Sequence, residues 1–221
     1  MIREGEPLAL RIAQGLAKVG LAMKTRQWRD SFDAGISPTQ AQILSLIRFR
    51  GPMRLLELAD AMGVTAATAS DAVSALASKG LLTKRRSASD GRAVSARLTA
   101  RGRKAAERLS QWPDFLTPAI GALSAEEQRT FLRALVKMIR TLQEQKQIPV
   151  ARMCVNCRFF RPGVHADADQ PHHCDFVDAP FGDGALRMDC PDFQAGGEAG
   201  WRSWVRLSAP SAKRAQRNST D

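Results

Sequence analysis

The chain has 221 residues, which is enough for one domain with an appendage or for two small domains. Lys and Arg number 33 against 22 Asp and Glu, so we expect a polyanionic partner, either nucleic acid or an anionic membrane surface. Polar and charged residues interrupt the apolar stretch near the N terminus, and no apolar run has spanning length, which excludes a transmembrane protein. We therefore expect a cytoplasmic protein, in which four cysteines favour metal binding over disulfides.

Two amphipathic helices are predicted first. Apolar residues at spacings of three and four predict a helix over residues 8–32, whose apolar face needs a partner. The segment SPTQAQILSLIRF predicts a second helix, because Ser37 can cap it and Pro38 suits its first turn. Gly51 and the proline that follows it end this helix.

A helix-turn-helix and a β-hairpin follow. The short helix RLLELADAM ends at Gly63, which suits the left-handed residue after a helix. Thr65 is the expected cap of the next helix, which runs to Gly80, and so tight a turn between two helices is typical of a helix-turn-helix. Residues 81–86 and 93–98 read as two short strands around the turn residues SDG. The pattern predicts a helix-turn-helix with a β-hairpin wing.

The basic charge of the chain is concentrated at and just after the wing. Residues 79–108 contain ten Lys or Arg and two acidic residues, a net charge of +8. Two further helices are predicted over residues 100–111 and 124–147, the second beginning with a capping box of Ser124 and Glu127. Because the first and last helices carry apolar stripes that a small winged unit leaves uncovered, we expect a homodimer.

The segments SPTQAQILSLI, LLELADAMGVTAATASDAVSALASKGLL and SDGRAVSARLTARG resemble the MarR family of winged helix-turn-helix transcriptional regulators. The resemblance covers residues 8–146, and the last segment is similar to the wing signature of the family. It implies an obligate homodimer joined through its terminal helices, a palindromic site in double-stranded DNA, and repression that a signal relieves. The predicted fold class is mainly α with a β-hairpin wing (α+β winged helix-turn-helix), followed by a loop-rich metal module and a disordered tail.

The helix after Thr65 is expected to enter the DNA major groove with its N terminus first. Thr65, Thr68 and Ser70 are its candidate contacts, although each is also an ordinary packing residue. The helix has no Arg or Lys between Thr65 and Ser78, so it lacks the arginine reading of guanine that is common in the family. Specificity is therefore expected from hydroxyl and methyl contacts, wing insertion and DNA shape.

The wing supplies the other candidate DNA contacts. Arg92 stands at its tip, where a guanidinium can enter the narrow minor groove, and the resemblance implies that Asp90 holds this arginine in position. Lys84, Arg85 and Arg86 are expected to contact phosphates, which set affinity and salt dependence. The alternative for these three is a solvated strand face.

All four cysteines and all three histidines lie within residues 154–190. Cys154, Cys157, Cys174 and Cys190 have the spacing Cys-x2-Cys-x16-Cys-x15-Cys, in which only the first pair is close. This spacing resembles the high-potential iron–sulfur proteins, which bind a [4Fe-4S] cluster, and nearby phenylalanines would shield such a cluster. The segment is too small to form a stable hydrophobic core without a metal.

Three interpretations of the cysteines stay open: an iron–sulfur cluster, which we favour, structural or sensory zinc, and reactive redox thiols. His172 and His173 adjoin Cys174, and either could replace a thiolate as a ligand. The predicted domains are residues 1–148, the winged dimer domain, residues 149–194, the metal module, and residues 195–221, a basic tail predicted to be disordered.

The sequence predicts a DNA-binding regulator, most simply a repressor, and not an enzyme, since it has no nucleotide-binding loop and no catalytic triad. In the favoured hypothesis the state of the cluster acts on DNA binding through the adjacent helix at residues 124–147. One alternative is a repressor released by a small aromatic effector, with zinc stabilising the C terminus. Another is a redox or electron-transfer module tethered to DNA.

Overall fold

The structure is a computed structural model that describes residues 6–86, 94–109 and 114–207. It divides into two compact units, Met1–Ala122 and Leu123–Asp221. Among the described residues, no helix combines the length and the apolar character needed to cross a membrane.

The first unit is mainly helical, with one small sheet. Its helices α2, α3, α4 and α5 surround the sheet residues in one core that includes Ile43, Leu58, Leu76 and Ala96. The elements are α1 (Leu8–Asp33), α2 (Pro38–Arg50), β1 (Met53–Arg54), α3 (Leu55–Met62), α4 (Ala66–Ser78), β2 (Leu82–Arg86), β3 (Val94–Leu98), α5 (Ala100–Leu109) and α6 (Thr117–Gly121).

The predicted capping residues set the helix boundaries. Ser37 Oγ accepts from the Gln40 N–H at 3.2 Å, and the Gln40 side chain accepts from the Ser37 N–H, so α2 begins with a full capping box. Gly63 ends α3 in the left-handed conformation, with φ of 65°. Thr65 Oγ1 then accepts from the Thr68 N–H at 3.1 Å and caps α4. These local signals confirm the predicted helix-turn-helix.

The wing strands β2 and β3 pair antiparallel as predicted, with Leu82 opposite Leu98 and Arg86 opposite Val94. A third strand was not predicted. The two-residue β1 pairs with β3 through Met53 and Ala96, which gives the sheet the order β1-β3-β2. A two-residue strand has no periodicity of its own, so only the pairing partner reveals it.

A close backbone contact fixes the start of α5 against the start of β2. Thr99 Oγ1 donates to the Gly80 carbonyl at 2.8 Å and accepts from the Gly102 N–H at 2.9 Å. A Cβ on Gly102 would stand 1.9 Å from the Leu81 carbonyl oxygen, so only glycine fits there. The Leu-Thr-x-x-Gly part of the wing signature is therefore a packing device that holds the wing to α5.

The second unit contains two helices and a small antiparallel sheet of order β4-β5-β6. Short 3-10 turns at Cys154–Asn156 and Asp183–Ala185 join these elements. The elements are α7 (Ala125–Glu144), β4 (Phe160–Arg161), β5 (His172–Cys174), β6 (Ala179–Phe181) and α8 (Glu198–Leu207).

Helix α7 belongs to the second unit, whereas the sequence analysis placed it in the winged domain, with the boundary after residue 148. The reason is its buried face. Val136 of α7 shares a core cluster with Val155, Phe160 and Trp204. The cysteine-containing segment therefore has an apolar core of its own, and α7 contributes to it.

The prediction of disorder over residues 195–221 is wrong for Glu198–Leu207, which forms α8. Trp204 is fully buried and Trp201 packs beside it, so the two indoles anchor this short helix. Composition alone favoured disorder because Gly, Ser and basic residues surround the two tryptophans. Residues 208–221 lie outside the described part of the chain.

Candidate DNA-binding and four-cysteine sites

The N-terminal turn of α4 is exposed, as a helix that enters a groove requires. Thr65 and Thr68 are both exposed, and their hydroxyl oxygens lie 2.9 Å apart. Ser70 is half-buried, while Ala69 and Val73 face the core. The exposed turn is the positive end of the helix dipole, which suits an anion such as a phosphate.

Lys84 is aimed at the exposed side of α4. Its Nζ donates to Ser74 Oγ at 2.6 Å, and Ser74 in turn donates to the Ser70 carbonyl at 2.7 Å. Lys84 thus places a positive charge beside the exposed side of α4, about two helical turns from its N terminus. Ser74 could not be identified from the sequence, because a serine in mid-helix carries no signal until its lysine partner is known.

The basic residues of β2 do not share one face. Side chains alternate along a strand, so Lys84 lies on the same face as Leu82, and Arg85 on the other. Arg85 is exposed, and its carbonyl accepts from Ser95 Oγ at 3.3 Å. Arg86 ends the strand. Asp90 and Arg92, the predicted residues of the wing tip, lie outside the described residues.

The four cysteines line one cavity of about 170 Å³ in the second unit. Cys154 and Cys157 come from a 3-10 turn and its end, Cys174 from β5, and Cys190 from the loop before α8. All four are free thiols. The rest of the lining is mostly apolar and includes Phe159, Phe160, Phe176, Val177 and Phe181. The fold thus brings together all four predicted ligands.

The two candidate histidine ligands are engaged elsewhere. His172 is buried; its Nδ1 accepts from the Gly163 N–H at 3.2 Å, so Nε2 carries the proton that it donates to Asp183 at 3.1 Å. His173 Nδ1 lies 3.2 Å from His165 Nε2, and its other nitrogen faces a carboxylate. Neither histidine lines the cysteine cavity. Replacement of a thiolate by either histidine does not fit this arrangement.

Arg187 stands beside two of the cysteines. Its backbone N–H donates to Cys154 Sγ at 3.3 Å, and its guanidinium lies 4.0 Å from Cys190 Sγ. Burial raises the pKa of the Cys154 thiol, and the Arg187 hydrogen bond opposes that change only in part. A metal bound by thiolates would offset this effect of burial on the pKa, because its positive charge stabilises the negatively charged sulfur. Sequence spacing alone did not identify Arg187.

A polar network ties the sheet to α7 and α8. Asp183 accepts from His172 and, at 2.8 Å, from Trp204 Nε1, and it pairs with Arg133 of α7 at 3.4 Å. Burial alone would raise the pKa of Asp183, but these hydrogen bonds and the arginine outweigh it and leave the pKa below its ordinary value. One carboxylate thus connects β5, α7 and α8.

Arg140 of α7 makes a second set of connections. It pairs with Glu144 at 2.9 Å and with Glu198 of α8, and its guanidinium lies 5.7 Å from the Trp201 ring centroid. It also donates to Asn156 in the cysteine turn at 2.8 Å. Burial disfavours the charged guanidinium, but the two carboxylates outweigh this and raise the pKa of Arg140.

A helix-turn-helix followed by a two-stranded wing, with long flanking helices, defines a winged helix-turn-helix protein. Residues 36–94 match the model of the MarR family. This range contains the helix-turn-helix and most of the wing, so the predicted resemblance is confirmed for that region. It ends before the first cysteine. Among curated proteins, no sequence matches the chain significantly.

Solved structures of similar fold support the same assignment. A MarR family protein from Bacillus stearothermophilus is 22% identical, with a TM-score of 0.53 over 61% of this chain and 95% of that one. MepR of S. aureus, solved in complex with DNA, is 23% identical, with a TM-score of 0.52 over 59% of this chain and 97% of that one. At this level of identity, the similarity establishes the fold of the MarR-type regulators.

Proposed function

We propose that the protein is a transcriptional regulator that binds double-stranded DNA as a homodimer. The exposed N-terminal turn of α4 supports binding in the major groove, and Lys84 adds a positive charge farther along the exposed side of the same helix. The MarR-type protein solved with DNA has the same fold. A palindromic operator follows from a two-fold dimer, because each copy presents one recognition helix to one half-site.

The homodimer is supported by apolar side chains that the single chain leaves exposed. Helix α1 buries only one residue, Ser31. Such a face stabilises the protein only when another apolar surface covers it. The large exposed apolar residues of α1 are Leu8, Leu10, Ile12, Val19, Leu21, Trp28 and Phe32, and those of α7 are Phe131, Met138 and Leu142.

For the second unit we propose a [4Fe-4S] cluster held by Cys154, Cys157, Cys174 and Cys190. The observation that carries this proposal is the single apolar cavity that all four thiols line. A cluster has volume and takes four thiolates at its corners, and apolar shielding tunes its potential. When bound, it would supply reversible one-electron redox chemistry.

Zinc is the less suitable occupant. Four thiolates on one zinc ion lie about 2.3 Å from the metal, so they leave no cavity between them. The four cysteines line a cavity of about 170 Å³ together with several phenylalanines, and this volume supports a group larger than one ion.

DNA binding tests the two halves of the proposal together. Operator DNA is selected from a random pool with anaerobic wild-type protein, and its affinity is then measured by fluorescence anisotropy for wild type and Cys154→Ala. We expect both proteins to bind DNA and the operator affinity to differ about tenfold or more between them, a coupling of ordinary size. Equal affinities would leave DNA binding intact and remove the sensing role. Release of wild type by a small aromatic acid instead would favour the effector alternative.

A further inference from the structure

Asn156 lies between two of the proposed cluster ligands and is bonded to helix α7. It is 6% exposed, and it occupies the 3-10 turn that carries Cys154, just before Cys157. Its Oδ1 accepts from Arg140 Nη1 at 2.8 Å, and its Nδ2 donates to Gln143 Oε1 at 3.2 Å. One amide therefore connects the cysteine turn to the last turn of α7.

The amide of Asn156 has one possible orientation. A guanidinium only donates and a backbone carbonyl only accepts, so Arg140 must face Oδ1, and the Ala151 carbonyl, 3.1 Å away, must face Nδ2. Gln143 must then present its oxygen to Nδ2. Its own Nε2 is left buried without a hydrogen-bond partner in the described structure. The Asn156 amide cannot exchange its donor and acceptor ends and keep these partners. A displacement of this turn therefore breaks the hydrogen bonds.

The residues of the turn divide their contacts between two neighbours. Cys154 and Cys157 line the cysteine cavity, whereas Val155 is buried in the cluster that contains Val136 of α7. Asn156 also faces α7. Ligation that orders the two thiols therefore also orders Val155 and Asn156 between them, and these are the residues that α7 contacts.

We propose that Asn156 is the positioning residue through which loading of the four-cysteine site reaches α7, an inference that rests on the cluster proposed above. In the loaded protein, ligation at Cys154 and Cys157 fixes the turn, and Asn156 keeps Arg140 and Gln143 bonded. In the metal-free protein the turn is less ordered, and the C-terminal half of α7 opens more often. Arg140 extends the effect to α8 through its ion pair with Glu198.

Hydrogen exchange, measured by mass spectrometry on the full chain, reads this coupling directly. Wild type and Asn156→Ala are compared metal-free and after anaerobic reconstitution with iron and sulfide, with iron and sulfide content measured for each. Loading is expected to slow exchange of peptides over residues 136–144 by roughly tenfold in wild type, the effect of about one to two hydrogen bonds, and hardly at all in Asn156→Ala.

Arg161→Ala is the matched control. Arg161 pairs with Asp175 at 2.7 Å, next to Cys174, and has no bond to α7. This variant removes a charged hydrogen bond from the same module but no bond to α7. It must therefore keep the full response of α7 to loading. A loss of response in Arg161→Ala would mean that any damage to the module uncouples α7, and would overturn the specific role of Asn156.

Gln143→Ala removes one of the two bonds between α7 and Asn156 from the α7 side, so it must weaken the response even if Asn156→Ala fails to fold. A loaded Asn156→Ala or Gln143→Ala that keeps the full response overturns the inference, as does a loaded wild type without one. Wild type that takes up neither iron nor sulfide overturns the cluster proposal itself, and the metal analysis identifies that case.

Discussion

At the scale of single residues, the family-like wing signature has a structural explanation. Thr99 bridges the end of α4 to the start of α5, and Gly102 allows the Leu81 carbonyl to approach within a distance that any Cβ would occupy. The motif was visible in the sequence, but its reason was not. A glycine inside a helix gives no sign of which distant backbone it touches.

Gly102→Ala is expected to destabilise the first unit by about 3 kcal/mol, because the new methyl group must displace the Leu81 backbone. Urea denaturation monitored by circular dichroism measures the change. Gly20→Ala in α1 is the control: it meets no atom within 4 Å, so it should raise stability slightly, by about 0.5–1 kcal/mol. Equal effects of the two variants would contradict the account.

Lys84 offers a second prediction at this scale. If Lys84 leaves Ser74 and contacts one phosphate, Lys84→Gln should reduce the slope of log affinity against log salt by about 0.9 and weaken binding to all DNA sequences alike. Lys24→Gln, on the exposed side of α1, should leave the slope unchanged. An unchanged slope for Lys84→Gln would show that this lysine only supports α4.

At the scale of elements, capping residues in the sequence predicted the helix boundaries that they set. Ser37, Gly63, Thr65 and Ser124 carry the capping chemistry of their helices, and the structure confirms each of them. Elements that depend on distant partners could not be predicted this way. Strand β1 exists only because β3 lies beside it, and α8 forms because Trp204 is buried among residues far away in the sequence.

In the candidate sites, too, the sequence identified residues with a local signal and missed those whose role depends on distant partners. Spacing identified the four cysteines, and the fold places all four around one cavity. Arg187 and Asn156 were missed, since an arginine or asparagine near a cysteine is common and its role depends on which atom it faces. The position of His172 and His173 beside Cys174 makes them candidate ligands in the sequence, and only their hydrogen bonds in the structure remove them from that role.

Asp183 gives the element-scale prediction, which concerns acid stability of the second unit. Its pKa lies below the ordinary 3.8, so its contribution is complete above that pH and is lost as the pH falls through the folded-state pKa. Asp183→Asn should therefore lower stability at pH 7, by about 2 kcal/mol, and flatten the dependence on pH below 4. Hydrogen exchange of peptides from α8, at pH 7 and in acid, measures both effects.

Asp178→Asn is the control for this prediction. The Asp178 side chain is 93% exposed and faces only His173, so its loss should change stability by less than about 0.5 kcal/mol. If the two variants behaved alike, the network of Asp183 with His172, Trp204 and Arg133 would not be the source of the acid dependence.

At the scale of the whole molecule, the wing segment and the cysteine segment have opposite charge. Residues 79–108 have a net charge of +8 and contain the wing, while residues 151–194 have seven aspartates against four arginines and contain the cysteines. A basic surface attracts DNA and an acidic one is repelled by it, so the acidic segment of residues 151–194 is expected to stay off the DNA. If the proposed cluster acts on DNA binding, its effect must then pass through the protein, beginning with α7 and α8, which share the apolar core of the cysteine segment.

The iron–sulfur cluster proposed for Cys154, Cys157, Cys174 and Cys190 can be tested on the purified protein alone. The most direct test is analysis of iron, zinc and acid-labile sulfide in the protein purified without oxygen. The account predicts about four iron and about four sulfide per chain, with a brown colour, and their loss in Cys174→Ala. A colourless protein with about one zinc per chain and no sulfide would contradict it.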